Sequence, residues 1–329
     1  NKEGEVLWTK YLPGVPDGDT EGFSTQVAPV IRWVGIEDIV GAGKSVVLLT
    51  YASSFARDSL FCYEGDGRLR WSVWAGNPIQ FGKLEYTLHA KMGFYNFFVA
   101  KNTPTMKPRL FAVVGSSQYF PSKLIEVDTR DGHELSEYWH GGSIQKTVAF
   151  DANGDGFDEL VIGGVNHSYL RAFAAMLDPS NIKGCGPATN EEYPEGLPHA
   201  KEMYYLLFPL TDLAQIISPD PFNTVRGIVP GAPPFFQVFV NEGSEGYNPK
   251  RGATIVYSLD SAMQVVSVAT GNDFEKFYSE LLAEGKLKRT LDLAYLEELK
   301  RGVLYWDGEN FVSTPTVNRR YAATPQMLP

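Results

Sequence analysis

Cysteine is scarce: Cys62 and Cys185 are the only two in 329 residues. With no CxxC and no Cys/His cluster, thiolate-rich zinc sites and the C-x-x-C-H attachment of c-type haem are excluded. The two cysteines allow at most one internal bridge, and a bridge and two free thiols both stay open. Basic residues are also short, with 29 Lys plus Arg against 39 Asp plus Glu and a formal net charge of −10. Nucleic-acid binding needs basic stripes that displace phosphate counterions, and docking on anionic lipid needs the same sign, so neither partner class fits. Cations suit this balance. No apolar run approaches the ~20 residues of a membrane-spanning helix, so no direct membrane insertion is expected. The chain opens Asn-Lys-Glu-Gly, without a methionine or a signal-like apolar stretch. It therefore reads as a mature or excised fragment whose targeting segment has gone. The five histidines, His89, His133, His140, His167 and His199, lack metal spacing, and no G-x-S-x-G or H-E-x-x-H motif occurs. Residues 41–45, Gly-Ala-Gly-Lys-Ser, imitate the end of a phosphate-binding loop. Position 38 is Asp where that pattern needs glycine, and a strand-like run follows where it needs a helix.

What the chain does hold is turns and short strands: Gly 32, Pro 21 and 13% aromatic residues. Val46 to Tyr51 is a short apolar run. Leu60 to Tyr63 then reaches the turn Glu64-Gly65-Asp66-Gly67 and leaves through Leu69 to Trp74. Glycine accepts the positive φ of such a hairpin turn. A second copy runs from Arg109 to Val114, through Lys123 to Asp128, turns at Asp131-Gly132 and exits through Leu135 to Trp139. A third begins at Thr147, crosses a glycine-rich loop and re-enters a strand at Glu159 to Ile162. Later runs are Phe235 to Val240, Thr254 to Leu259, Val265 to Val268 and the terminal pair Val303 to Trp306 and Phe311-Val312. Strand groups recurring every ~40–60 residues predict an all-β chain folded as a β-propeller. The expectation is about five blades, within five to seven, in one domain over residues 1–329. The C-terminal hairpin and the N-terminal strand Glu5 to Thr9 would together close the ring.

Residues 272–301 break this rhythm. Phe274, Phe277, Tyr278, Leu281 and Leu282 fall at helical spacing, as do Leu291, Tyr295, Leu296 and Leu299. Two inserted helices packed on the propeller are expected, with Asn272 or Asp273 as a cap and Gly285 and Gly302 as stops. Residues 181–210 form a long Gly- and Pro-rich excursion. Its part from Asn181 to His199, with Trp74 to Leu88, is the expected binding face, since long loops on a rigid scaffold carry function. Asp17-Gly18-Asp19-Thr20-Glu21 offers a weaker cation loop, and Asn166-His167-Ser168 matches an N-glycan acceptor.

The stretch that carries chemistry is Asp151-Ala-Asn153-Gly-Asp155-Gly156-Phe157-Asp158-Glu159-Leu160. Oxygen side chains stand at loop positions 1, 3, 5 and 9, with glycine at position 6. Calcium takes six to eight hard oxygen ligands, and alternate residues of a tight loop can converge on one ion. Asp151, Asn153, Asp155 and Glu159 supply side chains and Phe157 its carbonyl, while Asp158 points away or reaches the ion through water. A metal-free Asp/Asn/Gly turn is the alternative. Residues 38–46 align with this loop, but Val40, Ala42 and Val46 replace the ligands at positions 3, 5 and 9, so no ion is expected there.

Together with Leu160-Val161-Ile162-Gly163-Gly164, the loop resembles the FG-GAP/VCBS repeat of integrin-α-type β-propellers, and residues 135–210 are similar to propeller regions of bacterial proteins. The resemblance implies Ca2+ held by Asp151, Asn153, Asp155, Phe157 and Glu159 between two inner strands of a blade. It implies a non-enzymatic, extracellular or periplasmic module at the cell surface that recognises a protein or glycan partner. The alternatives are a structural subunit of an extracellular assembly or filament, and a propeller enzyme such as a lyase, hydrolase or quinoprotein. Fold alone does not choose among them.

Overall fold

Runs of β-branched and aromatic residues punctuated by turn residues build four antiparallel sheets in the computed structural model. It describes residues 30–39, 46–52, 58–89, 91–116, 120–217, 220–232, 234–242 and 253–323. The first sheet is a meander of β1 (Val30–Glu37), β2 (Val46–Ala52), β3 (Ser59–Tyr63) and β4 (Leu69–Trp74). The second holds β5 (Gly93–Ala100), β6 (Arg109–Gly115), β7 (Ser122–Val127) and β8 (Glu134–His140) in the same order. The third starts with β9 (Gly142–Phe150), β10 (Glu159–Asn166) and β11 (Arg171–Leu177). The chain then returns to the second sheet, where β12 (Gly184–Cys185) pairs in parallel with Tyr138 and Trp139 of β8. It comes back to the third as β13 (Tyr204–Leu207), beside β11. The fourth sheet is β14 (Asn223–Pro230), β15 (Phe236–Glu242), β16 (Thr254–Leu259) and β17 (Val265–Thr270).

Sheets stack in chain order because several strands are apolar on both faces. Leu110, Ala112 and Val114 of β6 join a core with Leu48, Leu60, Cys62 and Trp71 of the first sheet. Their alternate neighbours Phe111 and Val113 join another, with Leu160, Ile162, Phe173 and Ala175 of the third sheet. Val161, Ala172, Ala174 and Met176 face the fourth sheet's Val225, Val238, Val240 and Ile255. The period of two thus sends successive residues of one strand into different cores. Gly163 makes the last contact possible: a Cβ there would lie 2.8 Å from Val225 Cγ1. The first strands of the sheets meet, with β1 against β5, β5 against β9 and β9 against β14.

Each first strand also carries one extra residue at a similar point. The register skips Arg32 in β1, Tyr95 in β5, Gln145 in β9 and Arg226 in β14. Such bulges bend a strand and re-aim a side chain. Their recurrence marks the four sheets as copies of one unit.

Helix α1 (Ala214–Ile217) precedes the fourth sheet, and α2 (Asn272–Ala283) and α3 (Leu293–Arg301) follow it. Phe274, Phe277, Tyr278 and Leu281 of α2 and Tyr295 and Leu299 of α3 are buried against that sheet, as their spacing predicts. The cap of α2 is Gly271 rather than Asn272 or Asp273, because an Asp273 carboxylate oxygen is already held by the Thr254 hydroxyl at 3.0 Å. Gly285, at φ +71°, and Gly302 end the two helices. A short helix, α4 (Arg319–Ala322), closes the described chain.

The C-terminal hairpin departs from expectation. β18 (Leu304–Trp306) pairs with β13, and β19 (Phe311–Val312) lies outside it, so the hairpin extends the third sheet to six strands and builds no fifth blade. The cause is local: β13 presents a free edge on which Leu206 and Leu207 pair with Tyr305 and Leu304. No closed ring or barrel is formed among the described residues. The predicted closing strand Glu5 to Thr9, the Asp17–Glu21 loop and residues 40–45 lie outside the described residues. A strand does follow residue 45, as the argument against a phosphate loop requires. No helix among the described residues is long and apolar enough to cross a membrane.

Candidate metal centre

The loop from Asp151 to Asp158 joins β9 to β10, with Glu159 as the first residue of β10 opposite Phe150. Gly154 and Gly156 take φ of +85° and +91°, the left-handed region that a side chain disfavours, and so allow the chain to coil back on itself. Asp151 receives the Gly154 amide at 2.6 Å and the Gly156 amide at 3.0 Å. Asp155 receives the Phe157 amide at 2.9 Å, and Asn153 Oδ1 that of Asp155 at 2.8 Å. Glu159 accepts from the amides of Ala152 and Asn153 at 2.9 and 3.2 Å. The Asn153 amide nitrogen sits between two carboxylates, 3.0 Å from Asp155 Oδ2 and 2.8 Å from Glu159 Oε1. Asp151, Asn153, Asp155 and Glu159 are therefore brought together, with Phe157 beside them.

Asp158 is not part of that group. Its carboxylate accepts from the amides of Lys101 and Asn102 at 2.8 and 3.1 Å and from the Asn102 side chain at 3.1 Å. It ties the loop to the connection after β5. Its side chain is thus turned from the loop towards the connection after β5.

The donor set suits a hard cation. Asp151, Asp155 and Glu159 form no ion pair among the described residues, and three carboxylates without a counter-charge repel one another. Glu159 is 5% exposed, and burial, reinforced by the charges of Asp155 and Asp151, pushes its pKa up to about 7 against the lowering effect of the Ala152 and Asn153 amides. A cation at the Asn153 amide position would reverse that shift. In their present poses the carboxylates turn towards backbone amides. No group of three acidic, histidine or cysteine side chains is gathered tightly enough among the described residues to hold a metal as it stands. Rotation of the Asn153 amide would bring its oxygen to the position its nitrogen fills.

Elsewhere, several predicted features are structural. His140 is fully buried, 3.9 Å from Phe173 in a stack and 2.9 Å from the Tyr205 hydroxyl, and burial pushes its pKa down to about 3. Asn166 is 0% exposed and donates to the Pro187 carbonyl and the Tyr205 hydroxyl, both at 2.8 Å, so the folded chain offers no glycan acceptor there. Cys62 and Cys185 are free and buried in the same core, so the bridge is absent. Burial pushes the Cys62 thiol up to about 12. The two long connections expected to form a binding face lie against each other: a Cβ on Gly82 would run into the Glu191 carbonyl.

A larger space of mixed polar and apolar lining has no local signature in the sequence. A cavity of about 1420 Å³ lies along β5, β9 and β14, lined by Asn96, Gln145, Lys146, Thr147 and Thr224 among others. These residues come from three sheets, and no local motif links them.

No protein-family model and no curated protein matches this chain.

Proposed function

We propose that this chain is a non-enzymatic, calcium-binding β-propeller that serves outside the cell as a binding module for a protein or glycan. The observation that carries the reading is the Asp151–Glu159 loop: three carboxylates and an amide share one tight turn between two strands, with no cation among the described residues to balance them. Four successive antiparallel meanders whose first strands meet support the propeller. Calcium would be held by the side chains of Asp151, Asn153, Asp155 and Glu159 and the carbonyl of Phe157. It would supply positive charge that cancels the repulsion and fixes the turn between β9 and β10. A site of this flexible, exposed kind suits the millimolar calcium found outside cells.

Calorimetric titration with calcium, paired with thermal melting in calcium and in chelator, tests this. Wild type is expected to bind one ion and to melt higher in calcium. Asp155 is exposed at the loop tip. Asp155→Ala should therefore weaken binding by at least ~10-fold, about 1.4 kcal/mol, while its melting temperature in chelator stays near wild type. No heat and no melting shift in wild type would reduce the loop to a metal-free turn.

A further inference from the structure

The inner strands β5, β9 and β14 wall a cavity of about 1420 Å³, larger than the ~300–1,000 Å³ of ordinary small-molecule sites. Three of the four bulged residues, Tyr95, Gln145 and Arg226, line it. The repeated irregularity of the first strands therefore presents side chains to one shared space.

That space has a distinct chemistry. Among the described residues no aspartate or glutamate lines it, although the chain carries a net charge of −10. Lys146 projects there, exposed and without an ion pair among the described residues, and Arg226 lies on the β14 wall. An anion inside would meet positive charge at short range, within which the acidic exterior is largely screened. Part of the lining is aromatic: Tyr86 meets Phe120 edge-on at 6.0 Å, and Phe120 stacks on His167 at 3.9 Å. Amides and hydroxyls line it too, and Asn96 Nδ2 donates to Thr147 Oγ1 at 3.2 Å. Three side-chain oxygens beside the cavity, Asn96 Oδ1, Gln145 Oε1 and Thr224 Oγ1, are buried without any donor. Each comes from a different sheet. A buried acceptor left unpaired is unfavourable, and after a terminal side-chain rotation each can accept a hydrogen bond from a hydroxyl entering the cavity.

We propose that this cavity binds an acidic oligosaccharide. Pyranose faces suit the aromatic side chains, sugar hydroxyls suit amides that both donate and accept, and a uronate carboxylate suits Lys146. The assignment names the ligand class of the binding module and so rests on that reading, but it does not depend on calcium in the Asp151 loop.

Calorimetric titration of the full chain with trigalacturonate, maltotriose and triglutamate, in calcium and in chelator, tests it. Trigalacturonate is expected to bind one to one, to weaken with added salt, and to bind at least ~10-fold more tightly than the neutral sugar or the peptide. Lys146→Gln alters an exposed side chain and should leave melting unchanged while weakening trigalacturonate about tenfold. Equal binding of all three probes, preference for triglutamate, or full affinity in Lys146→Gln overturns the proposal. Chromatography of the recovered sugar separates the two readings. Cleavage of bound trigalacturonate would remove the non-enzymatic role and leave the site standing, whereas absence of binding removes the site and leaves the calcium reading to its own titration.

Discussion

Asp155 and Asp158 stand three residues apart, yet their carboxylates serve different ends. Asp155 stays within the loop, accepting from the Phe157 amide and the Asn153 side chain. Asp158 is 7% exposed and satisfies three N–H groups around Lys101 and Asn102 in the neighbouring sheet. Removing it strands those donors, so Asp158→Ala should cost about 1–3 kcal/mol. Denaturant melts should show the same loss in calcium and in chelator. A loss that appears only in calcium would make Asp158 a ligand. The oxygen spacing of the loop was legible because alternate residues of a tight turn share one side. Which carboxylate turns outward was not, since the partner amides lie 57 and 56 residues upstream, at Lys101 and Asn102.

At the scale of elements, hairpins and helices follow local rules and were readable. Asp-Gly turns, alternating apolar runs and the 272–301 helical spacing all appear where the residues place them. Pairings between distant segments leave no local mark. Neither the return of β12 to β8 nor the docking of β18 on β13 can be inferred from turn residues. The bulges hide for a related reason, since Gln145 and Tyr95 look like ordinary members of an alternating strand. The long connections behave as packed elements too. Gly82, at φ +53°, lets residues 75–89 press against the backbone at Glu191. Gly82→Ala should lower stability by about 1–3 kcal/mol through backbone displacement, with calcium affinity unchanged. An unaltered melting curve would mean that the two connections are not braced.

For the whole molecule, stacked sheets share strands between cores, so unfolding of one sheet exposes its neighbour. Cys62 and Cys185 report this directly, because they sit at 0% and 1% exposure in one core contributed by the first and second sheets and by β12. A thiol reagent should label neither in the native chain and both once the chain is denatured, with the two reacting over the same denaturant range. Separate transitions would divide the fold into independent units. The C-terminal hairpin has a further consequence. β13 and β18 are neighbours in space, while residues 208–303 between them contain the whole fourth sheet and both long helices. During synthesis the edge at Tyr204–Leu207 therefore stays open until almost a hundred further residues have left the ribosome. An unpaired apolar edge invites pairing with another chain, so the nascent protein passes through a window in which crowding, rather than native stability, decides its yield.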